Sequence, residues 1–129
     1  VLPLMQSDLF AVMRATTDGT LERAEVRFSG GASCCVVLAS GGYPKQYETG
    51  KPITGIAGAE RSACVYHAGT RLDGDGNVLT AGGRVLGVTA VAETLPEAIQ
   101  KAYAAADHIH FDGLHRRSDI GARALKALE

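Results

Sequence analysis

The residues of this chain that are best suited to bind a charged ligand are two glycines followed by an arginine, Gly82, Gly83 and Arg84. Glycines let a ligand approach the backbone closely, and the planar guanidinium of arginine matches the oxygens of a phosphate group. Arg116 and Arg117 add two cations before a short predicted helix, whose amino terminus also favours anions. These segments indicate a phosphate-binding site, but a solvated charged surface explains the same residues equally well.

A second glycine-rich turn begins at Ser40 and Gly41, directly after a predicted strand. It continues into Tyr43-Pro44 and not into a helix, which excludes the fingerprint of a dinucleotide-binding fold. The hydroxyl group and the free backbone N–H groups of such a turn can hold an anion or a ribose. The spacing alone favours an ordinary glycine turn, so this segment is the weaker candidate.

The turn from Asp73 to Asn77 resembles the start of a calcium-binding loop. An EF-hand counted from Asp73 needs glycine at its sixth position and glutamate at its twelfth, and this chain has Val78 and Arg84 there. The pattern therefore favours a tight turn between two strands.

His108, His110 and Asp112 would share one face of an extended segment, with His115 close behind, and such a group could bind zinc. Exposed or hydrogen-bonded histidines are the favoured interpretation, because catalytic zinc sites usually take ligands from separate elements with fixed supporting contacts. We therefore predict no metal site on this chain. We also predict no nucleophilic catalyst, since the cysteines lie in apolar runs where a thiol is inert.

The composition is that of an ordinary globular protein, with 46% hydrophobic and 21% charged residues among 129. The formal net charge of -1 provides no basic field to attract nucleic acid, and no apolar run reaches the ~18–20 residues of a membrane span. We expect neither nucleic acid nor a membrane as partner. The odd number of cysteines, three, indicates a reducing compartment, and the cytoplasm is the predicted location.

The spacing of apolar residues predicts two main helices. The first begins at Ser7, which serves as its cap, and ends before Asp18. The second begins in a capping box formed by Thr94 and Glu97. A short final helix follows Gly121.

Alternation of apolar and charged residues predicts a half-buried strand over residues 24–28. The continuous apolar run 34–39 is typical of a strand covered on both faces. Residues 45–62 are polar and glycine-rich, which predicts a long loop. The remaining strands are predicted over residues 63–67, 78–81 and 85–92. The fold class is α+β, a mostly antiparallel sheet with one packed helix and short flanking helices.

Four strings, taken in order, resemble the phosphoribosylamine–glycine ligase family. They are VVLASGGYP at residues 36–44, HAGT at 67–70, TAGGRVLGVTA at 80–90 and RSDIG at 117–121. In the fourth string the inserted Ser118 leaves either Arg116 or Arg117 as the counterpart of the family's arginine. Residues 2–9 are similar to the segment just after the family's metal-binding signature, so the resemblance spans essentially the whole chain.

The resemblance implies an ATP-grasp ligase that phosphorylates the carboxylate of glycine and lets the amine of 5-phosphoribosylamine attack the acyl phosphate. The family's ligands for ATP and for Mg²⁺ or Mn²⁺ precede the position of Val1. The opening without Met also reads as a chain that begins within a domain. Residues 1–30 would be the last helix and strand of the ATP-grasp domain, and residues 31–129 the carboxy-terminal substrate-side domain.

The resemblance also implies roles for the candidate residues. Gly82, Gly83 and Arg84 would hold the ribose phosphate of the amine substrate, and two neighbouring loops would border the same cleft. Arg117 would contact phosphate, and Asp119 would orient an arginine. The bordering residues are Ser40, Gly41, His67, Gly69 and Thr70.

Two other kinds of function stay open for this chain. One is a non-catalytic module that binds a sugar phosphate or a protein partner, and the other is a structural domain that seals the cleft of the ATP-grasp part. In every case the 129-residue chain alone is expected not to catalyse the ligation.

Overall fold

The computed structural model describes residues 1–127, and their main feature is a four-stranded antiparallel sheet in the order β2-β5-β1-β6. A second sheet is the hairpin of β3 and β4. This arrangement confirms the predicted α+β class. The strands are β1 (Ala32–Ser40), β2 (Cys64–His67), β3 (Thr70–Leu72), β4 (Val78–Thr80), β5 (Arg84–Ala92) and β6 (Leu114–His115). The helices are α1 (Leu9–Thr17), α2 (Ile56–Ala59), α3 (Leu95–Ala106) and α4 (Ala122–Lys126), with 3-10 turns at Leu2–Leu4 and Leu21–Arg23.

The core lies between α3 and one face of the sheet. Val36 and Leu38 of β1 and Val88 of β5 are fully buried there. The helix meets them with four small side chains, which let its backbone come close to the sheet: Ala98, Ala102, Ala105 and Ala106. The predicted capping box is confirmed, because Thr94 accepts a hydrogen bond from the Glu97 N–H and the Glu97 carboxylate accepts one from the Thr94 N–H.

The prediction that the strand at residues 34–39 is covered on both faces is wrong. Cys34, Val36 and Leu38 point into the core, but Cys35 and Val37 are exposed on the opposite side, which we call the open face. An apolar run looks the same in sequence whether or not a second layer packs on it, so the pattern did not distinguish the two cases.

Two predictions for the amino-terminal segment need correction. The cap of α1 is Asp8, which accepts the Ala11 N–H, while Ser7 bonds to the backbone of Glu25 and Arg27 instead. The strand predicted over residues 24–28 does not form, because its only pairing within residues 1–127 is an isolated bridge from Met5 to Phe28. Alternation alone cannot make a strand without a neighbour to bond.

The long loop after β1 is tied down at several points. Gly50 and Lys51 bond to Thr80 at the end of β4, and the loop contains the short helix α2, which the sequence pattern did not predict. The tight turn of the β3–β4 hairpin is confirmed: the Asp73 carboxylate accepts the N–H groups of Asp75 and Asn77. These bonds account for the low pKa of Asp73, with the Asn77 side chain as the largest cause.

Candidate functional site

Three of the four strings meet at one end of the main sheet. Because β1 and β2 both run antiparallel to β5, their last residues lie beside the first residues of β5. The Ser40 N–H donates to the Gly83 carbonyl at 2.8 Å, and the Ser40 hydroxyl donates to the Gly82 carbonyl at 2.9 Å. On the other side, the Ala81 N–H donates to the Gly69 carbonyl at 2.7 Å.

The glycines at this junction are required for packing between the loops. A Cβ on Gly69 would lie 2.7 Å from the Gly82 Cα, and a Cβ on Gly41 would lie 2.7 Å from the Gly113 carbonyl oxygen. A Cβ on Gly83 would overlap the ring of Tyr43. The sequence analysis expected a ligand to approach Gly82 and Gly83; in the structure Tyr43 lies against Gly83, and Gly69 lies against Gly82.

A cavity of about 330 Å³ opens beside this junction on the open face of the sheet. Its volume lies near the lower end of the ~300–1,000 Å³ range of small-molecule sites. Three residues of β1 form its apolar floor, and residues from the loop after β1, from β5 and from the segment around β6 form its walls. The floor is Cys35, Val37 and Ala39; the walls are Tyr43, Arg84, His115, Arg116, Arg117 and Ile120.

The three arginines of the cavity differ in their partners. Arg117 makes two hydrogen bonds to Asp119, at 2.8 and 2.7 Å, and Arg116 pairs with Asp107 while lying over the ring of Tyr103. Arg84 forms no ion pair with any acidic side chain of residues 1–127. Its charge is therefore available to an external anion.

The structure brings together some candidate residues and leaves others apart. Arg84 and Arg117 line the same cavity, with Asp119 holding Arg117 from outside. His67 and Thr70 bond to each other, Nδ1 to Oγ1 at 2.9 Å, and lie outside the cavity wall. The remaining candidates build the junction that supports the wall: Ser40, Gly41, Gly69, Gly82 and Gly83.

Two further residues of the cavity wall, Tyr43 and His115, were not among the residues predicted to hold the phosphate. Tyr43 stands inside the first string, yet only its stacking on Gly83 gives it a place in the cavity wall. His115 comes into the wall because β6 pairs with the end of β1, opposite Ala39. A strand of two residues has no periodicity, so no pattern in the sequence indicated this pairing.

The three cysteines differ in their exposure, and Cys34 alone among them is buried. Burial raises the pKa of its thiol, which keeps it protonated. Cys35 and Cys64 are exposed on the open face, because they lie on the side of the sheet that α3 does not cover. All three are free cysteines.

Within the described part of the chain, no group of three or more His, Cys, Asp or Glu side chains could hold a metal ion. Asp112 instead pairs with Lys51, whose Nζ lies 3.2 Å from the Asp112 carboxylate and 2.8 Å from that of Glu48. Among the helices of residues 1–127, none has the length and hydrophobicity that a bilayer crossing requires.

Tyr103 of α3 positions the segment that carries Arg117. Its hydroxyl donates to the Arg117 carbonyl at 2.7 Å and accepts the Ile120 N–H at 3.1 Å. Replacing Tyr103 with Phe removes both bonds and is expected to destabilise the chain by about 1 kcal/mol. Urea unfolding of the variant measures this cost, and Tyr47→Phe, whose ring is elsewhere, is the matched control. A Tyr103→Phe variant as stable as the control would contradict this positioning role.

The Arg117–Asp119 pair gives a prediction for pH. Hydrogen bonds from Arg117 hold the pKa of Asp119 below its ordinary value. A depressed pKa in the folded state means that the pair stabilises the fold above the ordinary pKa of Asp and loses this effect as the pH falls through the lowered one. An NMR titration of the Asp119 carboxyl carbon should show a low midpoint that returns upward in Arg117→Gln and is unchanged in Arg123→Gln. A normal midpoint in the unaltered chain would rule out the pair.

The fold and the junction first define a class: a small α+β domain with one helical layer, whose strand-end loops form a cavity on the uncovered face of an antiparallel sheet. Residues 33–123 match the family model described as phosphoribosylglycinamide synthetase, C domain, and the chain belongs to that family. The resemblance carried by the four strings is thereby confirmed.

Individual relatives agree with this assignment. The chain is 49% identical to a phosphoribosylamine–glycine ligase of Chlorobaculum tepidum, over 97% of this chain and 30% of the relative. It is 43% identical to a bifunctional purine biosynthetic protein of Pichia angusta, over 98% of this chain and 16% of the relative. A crystal structure of phosphoribosylamine–glycine ligase from Thermotoga maritima superposes with a TM-score of 0.67 at 34% identity, covering 84% of this chain and 27% of that one. The chain thus spans about a third or less of the length of these relatives.

Proposed function

We propose that this chain is the carboxy-terminal, substrate-side part of an ATP-dependent ligase that joins glycine to 5-phosphoribosylamine, which yields glycinamide ribonucleotide for purine synthesis. The names of the relatives support this activity. The main structural support is Arg84, which has no acidic partner within residues 1–127 and lies where three of the four strings meet. Ligation of a phosphorylated amine requires a cation to hold its phosphate.

Within this proposal, Arg84 binds the phosphate of 5-phosphoribosylamine, and Arg117, which lines the same cavity, assists. Asp119 fixes the guanidinium of Arg117 through its two hydrogen bonds. Ser40, Gly41, Gly69, Gly82 and Gly83 hold Arg84 in place through the junction, and His67 with Thr70 borders it from the neighbouring strand end. The chemistry that activates glycine needs ATP and Mg²⁺ or Mn²⁺, which we assign to the ATP-grasp part of the same enzyme.

The division of the chain at about residue 30 is also a proposal. It is supported by the amino-terminal elements, none of which has a buried residue. Phe10 and Met13 of α1 are 73% and 61% exposed, as expected for side chains whose packing partners belong to another domain. The family match begins at residue 33, just where the core begins. Residues 1–30 would therefore complete the ATP-grasp domain, and the second domain runs from residue 31 to 129, of which the last two positions lie outside the described residues.

A second candidate function is a non-catalytic module that binds a sugar phosphate. The cavity beside Arg84 favours it, since that cavity is built from this chain alone. The free cysteines fit a reducing compartment, and we propose the cytoplasm for either function.

The ligase proposal predicts that this chain alone gives no turnover. In an ADP-release assay with ATP, Mg²⁺, glycine and 5-phosphoribosylamine, we expect no signal above background from the 129-residue chain. The complete ligase that carries it should release ADP only when both substrates are present, and the Chlorobaculum tepidum ligase serves as positive control. Robust turnover by the isolated chain would refute the assignment of the ATP and metal sites to another part of the enzyme. A complete polypeptide without activity would favour the binding module.

A further inference from the structure

Aspartate followed by glycine is the sequence at which a chain rearranges most readily by itself, and it occurs four times in this protein. The backbone nitrogen of the glycine attacks the side-chain carbonyl carbon of the aspartate, water leaves, and a succinimide ring forms. A second water then opens the ring and gives either aspartate or isoaspartate, whose main chain runs through the side-chain carboxyl. Glycine allows the attack because it has no Cβ to obstruct it. The four aspartates are Asp18, Asp73, Asp75 and Asp112.

Asp18 is held in place by the end of α1. Its N–H donates to the Arg14 carbonyl at 2.9 Å, and its carboxylate lies 3.5 Å from the Arg14 Nε. The Gly19 N–H, whose nitrogen would have to attack, donates to the Thr16 carbonyl. Ring closure at Asp18 would therefore break the last turn of the helix.

Asp112 is restrained by an ion pair and by packing. Its carboxylate lies 3.2 Å from the Lys51 Nζ. The backbone of the following Gly113 lies directly against Gly41, where an added Cβ would come within 2.7 Å of the Gly113 carbonyl oxygen. Ring closure displaces the glycine backbone, so it needs room that Gly41 already occupies.

The turn of the β3–β4 hairpin contains the other two aspartates, and its hydrogen bonds restrain the first of them. The Asp73 carboxylate accepts the N–H groups of Asp75 and Asn77 and the side-chain amide of Asn77, at 2.8 to 3.0 Å. These bonds keep the side chain away from the Gly74 nitrogen. They also lower the pKa of Asp73, and the ionised carboxylate is attacked far less readily than the protonated acid, which can lose water.

The second aspartate of the turn has no such restraint. Among residues 1–127, the Asp75 carboxylate accepts no hydrogen bond and forms no ion pair. Asp75 and Gly76 are exposed, and a Cβ on Gly76 would meet no atom within 4 Å. Attack requires the loss of one bond, from the Gly76 N–H to the Asp73 carbonyl, whose length of 3.2 Å is at the long end of the usual range.

We propose that Asp75 is a site of isoaspartate formation, which the fold selects from the four Asp-Gly sequences. The product adds one carbon to the main chain of the turn and leaves a carboxylate as a branch. The hairpin itself should persist, because β4 is bonded on its other side to the long loop: the Ile53 N–H donates to the Val78 carbonyl and the Thr80 N–H to the Lys51 carbonyl. The rearrangement does not depend on the proposed ligase function.

The test is incubation of the folded 129-residue chain at neutral pH in water labelled with heavy oxygen. Each passage through the succinimide adds one labelled oxygen to the aspartate that reacted, and fragment-ion mass spectrometry after proteolysis assigns the label to a residue. We expect more label at Asp75 than at the other three aspartates together. The control is the same incubation of the chain unfolded in guanidinium chloride, where this preference should disappear because all four local sequences are Asp-Gly.

Two variants test the physical cause. Asn77→Ala removes the side-chain donor that contributes most to the low pKa of Asp73, so label should now also accumulate at Asp73. Gly74→Ala is the matched control in the same turn, and it should leave the label at Asp75 unchanged because an added Cβ there meets no atom within 4 Å.

Three results would overturn the inference. They are more label at any other aspartate than at Asp75 in the folded chain, the same distribution of label in the folded and unfolded chains, and no gain of label at Asp73 in Asn77→Ala. If a variant does not fold, the comparison of the folded and unfolded forms of the unaltered chain decides by itself.

Discussion

Under the proposed function, replacing Arg84 with alanine in the complete polypeptide is expected to raise the Michaelis constant for 5-phosphoribosylamine about 10- to 100-fold. A hydrogen bond to a charged group contributes about 1.5–3 kcal/mol, which corresponds to that range. The rise in the Michaelis constant should be this large because no acidic side chain of residues 1–127 pairs with Arg84. Its guanidinium is therefore free to bind the phosphate, and alanine removes that interaction completely. Initial-rate kinetics with 5-phosphoribosylamine varied at saturating glycine and ATP provide the measurement.

Two further variants make the result specific. Arg61→Ala removes an arginine that is exposed and outside the cavity wall, and it should leave all kinetic constants unchanged. Arg84→Lys keeps the charge but loses the planar fork, so its Michaelis constant should fall between those of the wild type and of Arg84→Ala. The role of Arg84 as phosphate clamp would be wrong if Arg84→Ala changed neither the Michaelis constant nor the turnover number.

Gly83→Ala is expected to destabilise the 129-residue chain by about 1–3 kcal/mol, the usual cost of forcing extra volume into a packed site. Gly83 is buried, and the added methyl group would overlap the ring of Tyr43. The ring cannot move away freely, because the Tyr43 N–H is bonded to the Ser40 carbonyl and the ring packs against Tyr47. Urea unfolding monitored by circular dichroism measures the difference.

The cause can be isolated by a double-mutant cycle. Tyr43→Ala removes the ring that the new methyl group would meet, so Gly83→Ala should cost much less in that background. The matched control is Gly74→Ala in the exposed hairpin turn, where an added Cβ meets no atom within 4 Å. If Gly83→Ala costs the same with and without the Tyr43 ring, the two residues are not packed as described.

Much of the fold could be predicted because its signals are local. The capping box of α3 needs only Thr94 and the residue three positions later, and the β3–β4 turn needs only Asp73 and its next four neighbours. The buried half of β1 was likewise visible as an apolar run. Such features depend on interactions within one turn of chain, which the order of residues describes directly.

The candidate site could be predicted only in part. The sequence indicated Arg84 and both later arginines but not which of them is unpaired, since the pairing of Arg116 with Asp107 is visible only in the folded chain. It also predicted a strand over residues 24–28, where within residues 1–127 only an isolated bridge from Met5 to Phe28 forms. Pairing between distant segments depends on where each element packs, and neither periodicity nor composition contains that information.

The sequence by itself determined the family, the α+β class and the segments from which the site is built. The tertiary structure alone decided how those segments meet: the antiparallel register that puts Ser40 against Gly83, the stacking of Tyr43 that requires a glycine there, and the pairing of β6 that brings His115 opposite Ala39. The physical reason is the distance along the chain between the residues that interact. Turns and caps form among neighbours in the chain, whereas a cavity forms only where strands that are tens of residues apart place their side chains on the same face.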